Sequence, residues 1–218
     1  MIAFRRRRLS PAARAYDRAR RLDGSLPWRQ ARYAVVDLET TGLDPRHDEI
    51  VSFASVPIEG GRVMVGGIRT AIVRPVSMPG AETIRIHGLR RADLEEAPAL
   101  SDVEDLILES LTGRALVAHA AWVERGFLGS ALKPAGLKPP EPVIDTAVLA
   151  ARLFGVREPP RDHALPLSDL ARRLGLPVHR PHTADGDALT TAQVFLSLAT
   201  KLDASEPQTV SSLAGAGR

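Results

Sequence analysis

The chain has 218 residues, 44% of them hydrophobic, which suits one domain with short appendages and a sizeable core. It has no cysteine, hence neither disulfides nor thiolate metal sites, and no run of about 18 apolar residues, so no membrane span is expected. The net charge of +3 hides an asymmetry: residues 1–32 hold ten arginines against Asp17 and Asp23, a net +8, while the remaining 19 basic residues face 24 acids, a net −5.

The start, "MIAFRRRRLSPAARAYDRAR", has an arginine cluster without an apolar stretch behind it, so no secretory signal is expected and the cytoplasm is the default location. Residues 1–30 read as a basic N-terminal arm, with helical character over 10–24 and a turn at "DGSLPW". Such arms commonly touch phosphates; the plain alternative is a solvated helix or tail. "YAVVDLE" is a buried strand by its β-branched and aromatic content, and "TTGLDPRHD" is a loop broken by Gly42 and Pro45. Residues 49–75 read as two strands around a Gly60-Gly61 hairpin turn, and 77–98 as loop with one or two short helices.

"LSDVEDLILESLTG" is an amphipathic helix with Ser101 as its expected cap, Glu104 three residues on and Gly113 as its stop. "RALVAH" is a short apolar strand, and a helix follows in "AAWVERGFLGSALKPAG". "PVIDTAVLAARLFG" is a strand whose Asp145 can cap the next helix, and "LPLSDLARRLGLP" is a helix ended by Gly175 and Pro177. "HTADGDALTTAQVFLSLATKL" supplies a loop and a long helix, and residues 203–218 read as a flexible tail. Strands come first and strand–helix units follow. The pattern predicts one α/β domain over 31–202, a mixed five-stranded sheet with helices on both faces. A purely parallel, doubly wound sheet fits less well, because the hairpin demands an antiparallel strand.

Asp37 and Glu39 are i and i+2 on the first strand, so both project from one face while Leu38 turns to the other. Two carboxylates that close repel unless a cation or proton sits between them, and hard divalent ions such as Mg²⁺ or Mn²⁺ suit oxygen donors. Capping or salt-bridge roles are the plain alternative. Near the end of the chain His182 stands five residues before Asp187, at the mouth of a helix apolar along Ala188, Thr191, Ala192 and Phe195. An acid in a first turn can simply offset the helix dipole. Together, an acid pair, a distant acid and an imidazole are the parts of a two-metal phosphodiester site with a base for the attacking water.

Four segments, "VDLETTG", "IRIHGL", "LVAHAAWVERGFL" and "HTADGDALTTA", resemble in order and spacing the motifs of the DnaQ-like, or DEDDh, 3′–5′ exonucleases, over about residues 31–200. The resemblance implies a ribonuclease H-like fold and two Mg²⁺ or Mn²⁺ ions. It implies that Asp37, Glu39 and Asp187 are metal ligands, with Glu39 also in the catalytic set and His182 as the general base. Thr40, Thr41 and Gly42 match the turn that cradles the terminal nucleotide, and His87 and His119 match positions near the substrate. The second motif departs from the family's His-Asn-Ala-x-Phe-Asp. Here it reads His119-Ala120-Ala121-Trp122-Val123-Glu124, so its acid is Glu124, one methylene longer than aspartate. The alternative for Glu124 is a surface acid paired with Arg125 or Arg114.

The expected activity is removal of nucleoside 5′-monophosphates from the 3′ end of DNA, as in an epsilon-like proofreading or repair enzyme. Two alternatives stand beside it: an exoribonuclease that trims RNA, and a non-catalytic module that binds nucleic acid or a polymerase. The implied partners are DNA or RNA 3′ ends, a DNA polymerase and a second copy in a homodimer.

Overall fold

The computed structural model describes residues 9–156 and 165–215. The run Arg5 to Arg8, and with it the expected phosphate contact of the arm, lies outside these residues.

The sheet is built around β1 (Arg32–Thr40), which pairs antiparallel with β2 (Ile50–Glu59). The outer edge of β2 takes β3 (Arg62–Val63) at one end and β4 (Arg69–Ile72) at the other. On its other side β1 runs parallel to β5 (Ala115–Ala118), which runs parallel to β6 (Val143–Asp145). Six strands therefore fill five positions across the sheet, in the order β3-β2-β1-β5-β6 with β4 beside β2. Gly60 and Gly61 take φ of 57° and 69°, the left-handed pair that a tight two-residue hairpin needs. The expected second strand of that hairpin is split in two. Pro57 has no N–H to donate, its carbonyl accepts instead from Met64 N–H at 2.9 Å, and a single 3-10 turn at Val65–Gly67 separates β3 from β4.

Strand alternation sorts the core into two layers. Tyr33, Val35, Ala54, Val56, Ala115 and Val117 face α6 (Thr146–Leu153), α7 (Leu167–Arg173) and the long α8 (Ala184–Ser205). Ala34, Val36, Leu38, Phe53 and Leu116 face α1 (Pro11–Ala19), α4 (Leu100–Leu111) and α5 (Trp122–Leu132). Two short helices, α2 (Ala81–His87) and α3 (Arg91–Glu95), connect β4 to α4. This is the expected α/β, ribonuclease H-like architecture: a mixed sheet with helices on both faces.

Three local expectations change. The cap of α4 falls at Ala99, not Ser101, because Asp102 reaches back to accept from Ala99 N–H at 3.2 Å. The described part of the arm, residues 9–30, belongs to the core. Ser10 caps α1, Tyr16 and Trp28 are fully buried, and Tyr16 Oη donates to the Lys138 carbonyl at 2.5 Å. Nor are residues 203–215 frayed. A short α9 (Val210–Leu213) buries Val210 and Leu213, and its N-terminal end is laced to the segment before β1 by Trp28 N–H to Gln208 O and Val210 N–H to Leu26 O, both 3.1 Å. Residues 10–24 carry a helical pattern, but their arginines mask its buried face; α9 has only four residues, too few to show a face.

Candidate active site

The site lies where β1 ends, with α8 on one side and α5 on the other. As the alternation requires, Asp37 and Glu39 share a face and Leu38 enters the opposite core layer. Thr183 caps α8, accepting from Gly186 N–H at 3.3 Å, and this brings Asp187 into the first turn. Asp37, Glu39 and Asp187 each place a carboxylate oxygen within 4.8 Å of the others. The pairing of β1 with β2 slips between Glu39 and Thr40, so the strand turns away just beyond the acid pair.

Glu124 sits in the first turn of α5 and is 4% exposed, with Oε2 lacking any hydrogen-bond partner. The surface reading of this residue fails because of that burial, and Arg114, one of the partners expected for it, is engaged with Glu59 at 2.6 Å. α5 comes close to the loop after β1: a Cβ on Gly126 would stand 3.0 Å from the Pro45 ring, and Ser130 Oγ donates to the Pro45 carbonyl at 2.6 Å.

Electrostatics follow from this crowding. Burial pushes the Asp37 carboxyl well above the usual range, and the charges of Glu124, Glu39 and Asp187 add to it. Glu39 is pushed up to about 7 by burial and by Asp187. Glu124 is pushed up to about 8, chiefly by burial, with Asp145 and Glu39 contributing. Asp187 is raised by burial, and its hydrogen bond from His182 N–H pulls it part of the way back. Four acids held this way resist ionising together, and a cation among them removes the resistance. An all-carboxylate donor set fits a hard divalent cation.

His182 is exposed on the turn before α8, with φ of 62°, and its N–H donates to Asp187 Oδ2 at 2.8 Å. The turn after β1 is fixed by its own side chains. Thr40 Oγ1 donates to Gly42 O at 2.5 Å, and Thr41 Oγ1 bonds Asp48 while accepting from Glu49 N–H. Gly42 lets the Asp48 carboxylate come close: a Cβ there would lie 2.5 Å from it and push that side chain off its bond to Asp44 N–H. His87 is buried, with Nδ1 accepting from Leu89 N–H at 3.0 Å and Nε2 unpartnered.

His119 does not fit the substrate role expected of it. Its ring nitrogens bond Thr146 Oγ1 and the Leu165 carbonyl, both at 2.9 Å, so neither is left for a nucleotide. Asp145 does more than the capping expected of it. It accepts from Ala147 N–H at 2.9 Å at the start of α6, and also from Ala120 and Ala121 N–H at 3.1 and 2.9 Å. One carboxylate thus ties β6 to the turn that launches Glu124.

The family model RNase_T, described as Exonuclease, matches residues 34–195. The DNA polymerase III subunit epsilon-like protein of Rhodobacter capsulatus is 36% identical over 181 residues, covering 82% of this chain and 25% of that protein. The 3′–5′ exonuclease DinG of Bacillus subtilis is 30% identical over 173 residues, covering 78% of this chain and 18% of its own. The chain thus spans a quarter or less of these relatives. A structure of Exonuclease X in complex with 5′ overhanging duplex DNA superposes with a TM-score of 0.63 at 24% identity, covering 85% of this chain and 98% of that one, and so shares the fold. Among the described residues no helix is long and apolar enough to cross a membrane. With the family match spanning most of the chain, the protein belongs to the exonuclease family.

Proposed function

We propose that the chain is a metal-dependent 3′–5′ exonuclease that releases nucleoside 5′-monophosphates from the 3′ ends of DNA. The observation that carries this reading is the meeting of Asp37, Glu39 and Asp187 within 4.8 Å. The buried, unpartnered Oε2 of Glu124 stands beside them electrostatically.

Asp37, Glu39, Glu124 and Asp187 would hold two Mg²⁺ or Mn²⁺ ions. When bound, such ions supply charge that neutralises the scissile phosphate and makes water more acidic. The imidazole of His182 takes the proton of the attacking water. The water oxygen bonds to phosphorus as the phosphorus–3′-oxygen bond breaks, and the departing 3′-oxygen takes a proton from solvent, leaving a 3′-hydroxyl on the shortened strand and a free nucleoside 5′-monophosphate. The turn at Thr40, Thr41 and Gly42 would face the terminal sugar and phosphate as a fixed wall, since Thr41 N–H itself donates to Glu49 O at 2.9 Å. His87 Nε2 is buried and unpartnered, so the substrate contact expected of it needs α2 to move aside.

DNA is favoured as substrate because the 36% identical relative in Rhodobacter capsulatus is a DNA polymerase III subunit epsilon-like protein. A polymerase partner and a proofreading or repair role follow from the same source. The test is hydrolysis of 3′- and 5′-labelled single-stranded DNA and RNA with Mg²⁺, Mn²⁺ or EDTA, beside Asp37→Ala. EDTA-sensitive release of mononucleotides from DNA 3′ ends, absent in the variant, is the expected result. Faster release from RNA would move the substrate to RNA. Binding without cleavage under every metal would make the chain a binding module.

A further inference from the structure

We infer that Thr190, a buried residue on α8 outside the acid cluster, is a positioning residue for His182; this rests on the reading of His182 as the base. Among the described residues no hydrogen bond holds the His182 imidazole. Its charge meets that of Asp187, and the direction in which the ring leaves the chain is set by its backbone. That backbone is unusual, because Arg180 and His182 both take left-handed φ, 25° and 62°, without being glycine. A turn in this state keeps one shape only while its surroundings hold it there.

The holding is done by α8. Thr190 is fully buried, and its hydroxyl donates to the Gly186 carbonyl at 2.9 Å, a bond from one helical turn to the one before it. The same oxygen accepts from His179 N–H at 3.0 Å. One hydroxyl therefore fastens the start of the turn to the helix that carries Asp187, while Asp187 Oδ2 takes His182 N–H at the other end. Further contacts close the latch, the ion pair of Arg180 with Asp185 among them. Gln193 reaches His179 Nε2 at 2.8 Å, and Thr183 Oγ1 donates to the Arg180 carbonyl at 2.8 Å.

Gly186 shows how closely the turn is pressed down. A Cβ there would lie 2.4 Å from the Arg180 carbonyl oxygen and 2.5 Å from that of His179, so any side chain must lift the turn. Base and acid cluster are thus brought into one frame by the first two turns of one helix. Misplacing a catalytic group by about 1 Å can cost on the order of 100-fold in rate.

The decisive variant is Thr190→Val, which keeps the shape and removes the hydroxyl. We expect kcat on a labelled DNA oligonucleotide to fall about tenfold or more, with KM and Mn²⁺ affinity unchanged. Amide exchange at His179 and His182 should quicken while the rest of α8 stays protected, and Thr190→Ser should restore both rate and protection. Parental kcat in folded Thr190→Val, or a loss that Thr190→Ser does not rescue, overturns the inference. If Thr190→Val does not fold, Gly186→Ala decides. Alanine favours the helix but lifts the turn, so kcat should fall in a folded protein, and parental kcat there is contrary. His182→Ala is run alongside: parental cleavage by it removes the general-base reading itself, whereas an inactive His182→Ala beside a fully active Thr190→Val removes only the positioning role.

Discussion

Glu124 is 4% exposed with one carboxylate oxygen unbonded, so its charged form is disfavoured in the folded chain. Folded-state values of Glu39 and Glu124 stand at about 7 and about 8, above the ordinary carboxylate range. For an acid whose folded value is raised, no penalty exists while both states are protonated. Stability is then lost as pH rises from the unfolded value through the folded one. Without metal, the chain should melt at a lower temperature at pH 8.5 than at pH 5.5. Glu124→Gln, which cannot ionise, should raise metal-free stability at pH 8.5 by about 1–3 kcal/mol, by less at pH 5.5, and leave it nearly unchanged at pH 4, where the acid is protonated in both states. Thermal melts in EDTA check both; a less stable glutamine variant at pH 8.5 would show that the charge is no burden. At this scale the sequence was informative about Asp37, Glu39 and Asp187, because i,i+2 alternation and a helix start decide where they point. It was silent on whether Glu124 was surface or interior and on the partners of His119, because both depend on residues distant in the chain.

The junction of β6, α5 and α6 depends on Asp145. Its carboxylate accepts three N–H bonds, from Ala120, Ala121 and Ala147. Asp145→Ala leaves three donors without their acceptor and should cost about 2–4 kcal/mol, read from urea denaturation. The same change loosens the turn ahead of Glu124, so cleavage should fall even at temperatures where the variant stays folded. Unchanged stability would mean that water replaces the carboxylate without cost. The capping half of this role was legible, since an acid between an apolar strand and a helical pattern is a cap signal. The bonds to Ala120 and Ala121 span 25 and 24 residues, and no local pattern reports them. The shift of the α4 cap has a related cause. Ser101 and Asp102 are both good end-of-helix residues, and the backbone chose the one that could reach back.

Across the whole molecule, the order of elements was enough to anticipate a mixed sheet with helices on both faces, because each strand keeps its alternation and each long helix its stop signals. The two ends were misjudged because few residues carry their packing. Trp28 meets Phe195 edge to face at 6.1 Å, and Val210 and Leu213 enter the same core layer. Deleting residues 207–218 should therefore lower stability by about 3 kcal/mol or more, from the burial of those two side chains alone. A truncated chain with the parental melting temperature would restore the flexible tail.

The measurement that tests the account most directly is the number of Mn²⁺ ions bound, followed by electron paramagnetic resonance in the presence of a nucleoside 5′-monophosphate. The parent should bind about two ions per chain, with the count or affinity sharply reduced in Asp37→Ala and in Glu124→Gln. Parental binding no stronger than that of Asp37→Ala would contradict it, leaving the acid cluster without a metal.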